Sequence, residues 1–439
     1  AQAEALIARV AADHPQAQKQ LTLHLGDSGD VPARVTWRAS RDAETWFGAD
    51  LDPQGALKVT TLNDEGLGQF IDHLHRVGGL PMDDHDGATV MGVVSAFYFL
   101  ALVSGLIIVL PTLARDLFAL RIGPNLKRMW MDAHNLVGIF SLPFHIVIAA
   151  TAVVFGLHDP IYGALDKVVL RGGMQGIMQS ENLYAKIPRD PSPAAMLPPR
   201  ELLARLAQLS PDLRPYAIEY RNVGTGGAAA AIWGHDDRHL ERGRGFAAMS
   251  AVTGEIVNTQ YLPGHQDGYG PAVSSFFALH FASFGGAPVK WTYLALGLAG
   301  AFLFYSGNLL WIESRRKRER GGAGTPAQSR ASRWMAAGTV GVCLGCVAGV
   351  SVAIAASKWL PGRVADPELW RWGIYYAVFL PAVGWSFWRG AARAGVELLW
   401  AAAAATLLIP LTTLLAWTVP ALGLWSWAGT LGVDAVALA

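Results

Sequence analysis

The chain has 439 residues, of which 52% are hydrophobic and only 16% charged, with a positive mean hydropathy of +0.28. Soluble proteins carry about 25% charged residues, so this composition excludes a disordered chain, a collagen and a disulfide scaffold, and points to a membrane protein. A net charge of +1 offers no strongly basic face for nucleic acid. Two cysteines and no Cys-x-x-Cys-His run argue against covalently attached c-type haem.

In chain order, residues 1–88 form a polar segment predicted to fold as an α+β domain. Residues 89–157 hold two predicted membrane helices, Val90–Pro111 and Asn135–Leu157, each near the ~20 residues that a bilayer requires. A second polar domain follows over 158–275. Residues 276–313 then bring a short helix and a third span, Trp291–Ile312. A basic Gly/Ala/Ser linker occupies 314–333, and 334–439 holds further helices. These are predicted at Trp334–Ala356, Trp372–Trp388 and Val396–Val419, with a seventh beginning at Ala421 and cut off at Ala439.

The connecting charges orient these spans. Arg115, Arg121, Lys127 and Arg128 join the first two, and Arg315, Arg316, Lys317, Arg318 and Arg320 follow the third. Arg389 and Arg393 separate the fifth and sixth. By the positive-inside rule these loops are cytoplasmic, which puts both polar domains on the opposite side.

The two polar domains repeat one another. Leu6-Ile7-Ala8-Arg9-Val10-Ala11 with Pro15 matches Leu202-Leu203-Ala204-Arg205-Leu206-Ala207 with Pro211. Each reads as an amphipathic helix followed by an alternating strand, Leu21–Leu25 and Tyr216–Tyr220. Turns follow at 52–57 and 252–256. Leu74-His75 aligns with Leu279-His280, Gly78-Gly79 with Gly285-Gly286, and Ser104-Gly105 with Ser306-Gly307. The expected unit is therefore span, α+β domain, histidine, span. On this reading the first unit's leading span lies before residue 1, and the chain is a segment of something longer.

Twelve histidines are present. His14, His24, His158, His235, His239 and His265 fall in polar segments and read as ordinary surface residues, as do His73 and His85. Four others stand out. His134 and His145 share one predicted helix, where eleven residues turn through about 1100°, close to three whole turns, and rise about 16 Å. Ionisable groups at membrane depth are costly and functional. Stacked neutral imidazoles suit axial ligation of two haem irons at different depths; the alternatives are hydrogen bonding between helices or a proton path. His75 and His280 recur at equivalent places before two spans. An iron near the outer face would draw on His145 with one of these, or on both of these. The inner iron would take His134 and a histidine upstream of residue 1.

Other motifs are weaker. Cys343 and Cys346 read as small buried thiols. Gly-Thr-Gly-Gly at 224–227 lacks the setting of a dinucleotide site. The spans carry no paired carboxylates, only Glu397 near one end.

Leu74-His75-Arg76, His134-Asn135-x-x-Gly138 with Leu142-Pro143-Phe144-His145, Thr253-Gly254-Glu255 and Leu279-His280 together resemble the PepSY-associated transmembrane family, over roughly residues 1–312. That family includes iron-regulated inner-membrane proteins and ferric-siderophore reductases. The resemblance implies a polytopic α-helical protein of the bacterial inner membrane with two periplasmic α+β (PepSY-like) domains and an internal duplication. It implies b-type haem, two per chain, with His75, His134, His145 and His280 as iron ligands. The implied partners are the lipid bilayer and a ferric siderophore or other ferric chelate. The electron donor would be a quinol or a cytoplasmic reductase. The competing expectations are a non-redox PepSY regulatory protein and an iron-chelate or metal transporter.

Overall fold

The computed structural model describes residues 2–26, 33–38, 45–52, 54–63, 66–113, 126–173, 183–240, 245–318, 328–426 and 430–439. Pro53 of the first turn, Arg115, Arg121, Arg320 and linker residues 321–327 lie outside the described residues.

Helices α1 (Gln2–Asp13) and α2 (Pro15–Lys19) precede strands β1 (Gln20–His24), β2 (Val35–Arg38), β3 (Thr45–Leu51) and β4 (Leu57–Asn63). Helices α3 (Leu67–Arg76), α4 (Asp84–Val109), α5 (Leu126–Gly156) and α6 (His158–Leu165) follow. Helix α7 (Pro199–Leu209) leads into β5 (Arg214–Arg221), β6 (Ala229–His235), β7 (Gly245–Ser250) and β8 (Ile256–Tyr261). The chain closes with α8 (Gly270–Phe281), α9 (Gly286–Arg318), α10 (Arg330–Ser357), α11 (Pro367–Arg389), α12 (Ala391–Thr418) and α13 (Leu431–Leu438). Two compact units result. One is Ala1–Asp64, Ala88–Tyr98 and Val147–Tyr293; the other is Glu65–Gly87, Phe99–Ile146 and Leu294–Ala439.

The first unit contains an eight-stranded antiparallel sheet in the order β4-β3-β2-β1-β5-β6-β7-β8. Each polar segment contributes four consecutive strands. The two sets join where β1 pairs with β5, from Gln20 opposite Arg221 to His24 opposite Ala217. The alternation seen in sequence sends Leu21 and Leu23 to one face, where they meet Ile218 and Tyr220. Helices α1 and α7 cover that face with Leu6, Ile7, Val10, Leu202 and Leu206, all buried. Fully burying each such side chain is worth about 1.5–3 kcal/mol. On the reverse face Ile187 covers Ala229 and Ala248, with Tyr184 packed beside them, so β7 is buried throughout. Pro15 opens the short helix α2, a position where its missing N–H costs nothing.

Asp236 follows the end of β6 and is 3% exposed. Its carboxylate accepts from the backbone N–H of Arg238, from the Arg238 guanidinium at 2.9 and 3.0 Å, and from His239 Nδ1 at 3.2 Å. The Arg238 guanidinium holds that carboxyl well below the usual carboxylate range. Also within this unit, α4 touches α5 glycine on glycine. A Cβ on Gly92 would stand 2.7 Å from the carbonyl carbon of Gly156. Only bare backbone allows such an approach.

In the second unit α10, α11 and α12 pack together through small residues. Gly341, Gly345 and Gly349 of α10 recur every four residues, against Ser386, Ala382 and Tyr375 of α11. Helix α3 packs on α11, with Phe70 and Trp372 edge to face at 5.1 Å. The buried Lys358 donates to the carbonyl of Ile409 at 2.9 Å and to the Thr413 hydroxyl, and lies 3.7 Å from Asp434 of α13.

Among the described residues five helices are long and apolar enough to cross a membrane: Asp84–Thr112, Lys127–Gly156, Gly286–Arg315, Arg330–Ser357 and Ala391–Thr418. The protein is therefore a multi-pass membrane protein with an α+β region. The expected span Trp372–Trp388 forms helix α11 but is not one of the five. Its uncharged stretch is short, and Glu368, Arg371 and Arg389 bracket it. Among the described residues the closing apolar run yields the eight-residue α13 and no helix long enough to span.

Candidate functional site

Helix α5 carries His134 and His145, and both rings meet α9. His134 Nδ1 lies 2.8 Å from Ser306 Oγ. A Cβ on Gly307 would stand 3.2 Å from its Cε1. His145 is 3% exposed, and a Cβ on Gly300 would fall 2.9 Å from its Cε1. The spacing argument that put the two histidines on one face therefore describes this helix correctly.

The Ser306 hydroxyl also lies 2.6 Å from the carbonyl oxygen of Phe302, one turn back on α9. A hydroxyl has a single proton, and at this distance it goes to the carbonyl. Ser306 must then accept from His134 Nδ1–H. His134 is thereby set in the tautomer whose lone pair is on Nε2.

The first unit repeats this arrangement. Thr151 Oγ1, on α5, lies 2.8 Å from His280 Nδ1 and 2.7 Å from the carbonyl oxygen of Val147. By the same count Thr151 donates to Val147 and accepts from His280. Phe155 and Phe281 stand edge-on to the His280 ring at 5.0 and 4.9 Å.

His280 and His75 each occupy the last turn of a short helix, α8 and α3. Both helices are followed by left-handed glycines: Gly78 and Gly79 at φ 60° and 70°, Gly285 and Gly286 at 64° and 63°. The aligned glycine pairs of the sequence are thus turn residues. Gly79 is further constrained, because a Cβ there would stand 2.8 Å from the Tyr375 hydroxyl. His75 itself is exposed, and its ring makes no hydrogen bond or ion pair among the described residues. Its neighbour His73 is the more engaged, lying 3.5 Å from Asp84 and edge-on to Trp372 at 5.1 Å.

Several of the histidines read as surface residues have local partners. His24 bonds Thr36 Oγ1 at 2.9 Å, His14 packs on Trp37 and His235 stacks on Tyr216. Cys343 and Cys346 remain thiols, and the Tyr375 hydroxyl lies 3.9 Å from Cys346 Sγ. Glu397 is bound by Arg389 and by Trp385 Nε1, both at 2.6 Å. The 224–227 glycines form the turn between β5 and β6.

The ring environments of His134 and His280 suit an axial haem ligand. Among the described residues no three His, Cys, Asp or Glu side chains converge as a metal-ion cage, so these histidines present single imidazoles. A metal-ligating histidine characteristically donates its second ring N–H to a fixed acceptor, as His134 and His280 do here. Sequence reasoning found the histidines but not Ser306, Thr151 or Gly300. Ser306-Gly307 was visible only as a mark of repetition.

The PepSY-associated TM region model matches residues 1–314, and the chain belongs to that family. The resemblance carried by the histidine motifs is borne out. Among curated proteins none matches the chain.

Proposed function

We propose that the protein carries electrons across the bacterial inner membrane and reduces a ferric chelate on the periplasmic side. In this reading the sheet domain is periplasmic, the two polar segments descend from one duplicated unit, and His75, His134, His145 and His280 are the candidate ligands of b-type haem. Bound at such histidines, haem supplies a reversible one-electron couple. The chain's own groups hold the imidazoles. Ser306 and Thr151 fix the Nδ1 protons of His134 and His280, and the bare backbone at Gly300 and Gly307 leaves room for the rings of His145 and His134. The donor, a quinol or a cytoplasmic reductase, gives up an electron and ferric iron becomes ferrous. Oxygen donors hold ferrous iron more weakly, so release needs no nucleophile or acid–base pair.

The observation that carries this reading is the repeated histidine–hydroxyl–carbonyl chain, which leaves Nε2 as the basic nitrogen in each case. The test is the visible spectrum of the purified protein before and after dithionite. A Soret band and a reduced α-band at the b-type position are expected, and His145→Ala should lose at least one centre. Absence of both bands would refute electron transfer in favour of a regulatory protein or a transporter.

A further inference from the structure

The first unit contains a cleft of about 1040 Å³ between the end of α2, residues 184–191 and the β5–β6 turn. That volume lies just above the range for small-molecule sites, about 300–1,000 Å³. Its wall is firmly built. Residues 190–194 lie along the β5–β6 turn through Gly226 N–H to Ser192 O at 2.8 Å, Gly227 N–H to Asp190 O at 2.8 Å and Ala194 N–H to Gly224 O at 3.0 Å. The turn depends on Asn222 at φ 52° and Gly224 at φ 79°. A Cβ on Gly227 would stand 2.6 Å from the carbonyl oxygen of Pro188, so the segment closes directly onto glycine backbone.

Three cations line the cleft: Lys19, Arg189 and Arg221. Arg221 lies over the Tyr184 ring at 4.9 Å and is paired with Glu219 at 2.9 Å. Lys19 and Arg189 make no ion pair among the described residues. The one acidic lining residue, Asp190, is turned to its own loop, accepting from Ser192 N–H at 2.9 Å and Ser192 Oγ at 2.6 Å. Burial pushes the Tyr184 phenol up to about 12, so it is a neutral hydrogen-bond donor at physiological pH. Two cations with no ion pair among the described residues, a half-satisfied guanidinium and a phenol suit an oxygen-rich anion.

We propose that this cleft binds the acceptor, and that the acceptor is a multiply anionic ferric chelate with carboxylate or catecholate oxygens rather than a neutral hydroxamate chelate. This rests on the ferric-chelate reading above and adds to it a location and a charge class. Gallium(III) citrate is the probe, because gallium matches ferric iron in charge but takes no electron. The full chain in detergent is titrated calorimetrically with gallium(III) citrate, metal-free citrate and neutral gallium(III) tris(acetohydroxamate). Gallium citrate should bind at least tenfold more tightly than either of the others, and should weaken as salt rises. A Lys19→Gln/Arg189→Gln double variant should lose at least tenfold. Both side chains are exposed, and unchanged melting verifies the fold. Equal binding of the neutral chelate or of metal-free citrate, or a double variant that binds like the parent, would overturn the assignment. Because gallium is redox-silent, these outcomes do not depend on haem content. A haem-loaded protein that ignores gallium citrate refutes the cleft alone, whereas a haem-less protein that binds it refutes electron transfer alone.

Discussion

Replacing Gly300 with alanine isolates the packing around His145. The new methyl carbon would stand 2.9 Å from Cε1, 3.6 Å from Nδ1 and 3.8 Å from Nε2 of that ring. Relaxed carbon contacts begin near ~3.5 Å, so the ring or α9 must yield by about 0.6 Å. Over-packing on this scale costs about 1–3 kcal/mol. Alanine recovers about 0.5–1 kcal/mol over glycine inside a helix. Gly297 supplies the control, because a Cβ there meets nothing within 4 Å. Gly297→Ala therefore gains the helical term without the clash, and the two variants should differ by about 1–3 kcal/mol, the clash itself. Thermal unfolding of the detergent-solubilised protein should rank Gly297→Ala at or above the parent and Gly300→Ala below it. With haem present, the reduced spectrum should change for Gly300→Ala alone. Coincident melting curves and spectra for the two alanine variants would refute the contact.

Ser306→Ala and Thr151→Val each remove the acceptor of one histidine N–H while keeping the packing nearly intact. Lost partners of this kind cost about 10–100-fold in metal-site affinity, so each variant should lose haem on dilution and shift a midpoint potential. Ser306→Thr should restore the parent behaviour, and unchanged retention and potential in both variants would discount the hydroxyls. Asp236→Asn tests the sheet unit by pH. The folded carboxyl titrates below its ordinary 3.8, so its contribution is complete above about pH 4 and is lost as pH falls further. The variant should be less stable by about 2 kcal/mol at neutral pH, and the gap should close on acidification. Parallel stability–pH curves would contradict this.

Much of the membrane region was legible because apolar runs and bilayer thickness are matched by length alone. The exceptions have local causes. The stretch Trp372–Trp388 is helical, yet Arg371 at its threshold is 2% exposed and bonded to Ser357 Oγ at 3.2 Å, a polar commitment that an apolar count does not register. The histidine pair of α5 was legible because helical periodicity is rigid over eleven residues. The groups that hold those rings were not, since small residues recur around α9 and the register of its neighbour decides which of them meet a histidine. Gly297 and Gly300 look equivalent in sequence, and only the second touches His145. The strands showed as alternating runs, but the pairing of β1 with β5 is a choice between distant segments that no local pattern encodes.

That pairing has a consequence for how the molecule is made. β1 finds its partner only after two membrane helices, α4 and α5, have been synthesised between them. Until β5 arrives, β1 is an exposed strand edge, and such edges invite pairing with other chains. Contacts this distant in sequence also form slowly. A nascent chain that stalls between α5 and β5 would present half a sheet, with Leu21 and Leu23 lacking Ile218 and Tyr220. The first strands thus become committed only after both helices have been synthesised, which ties completion of the sheet to the second half of the domain.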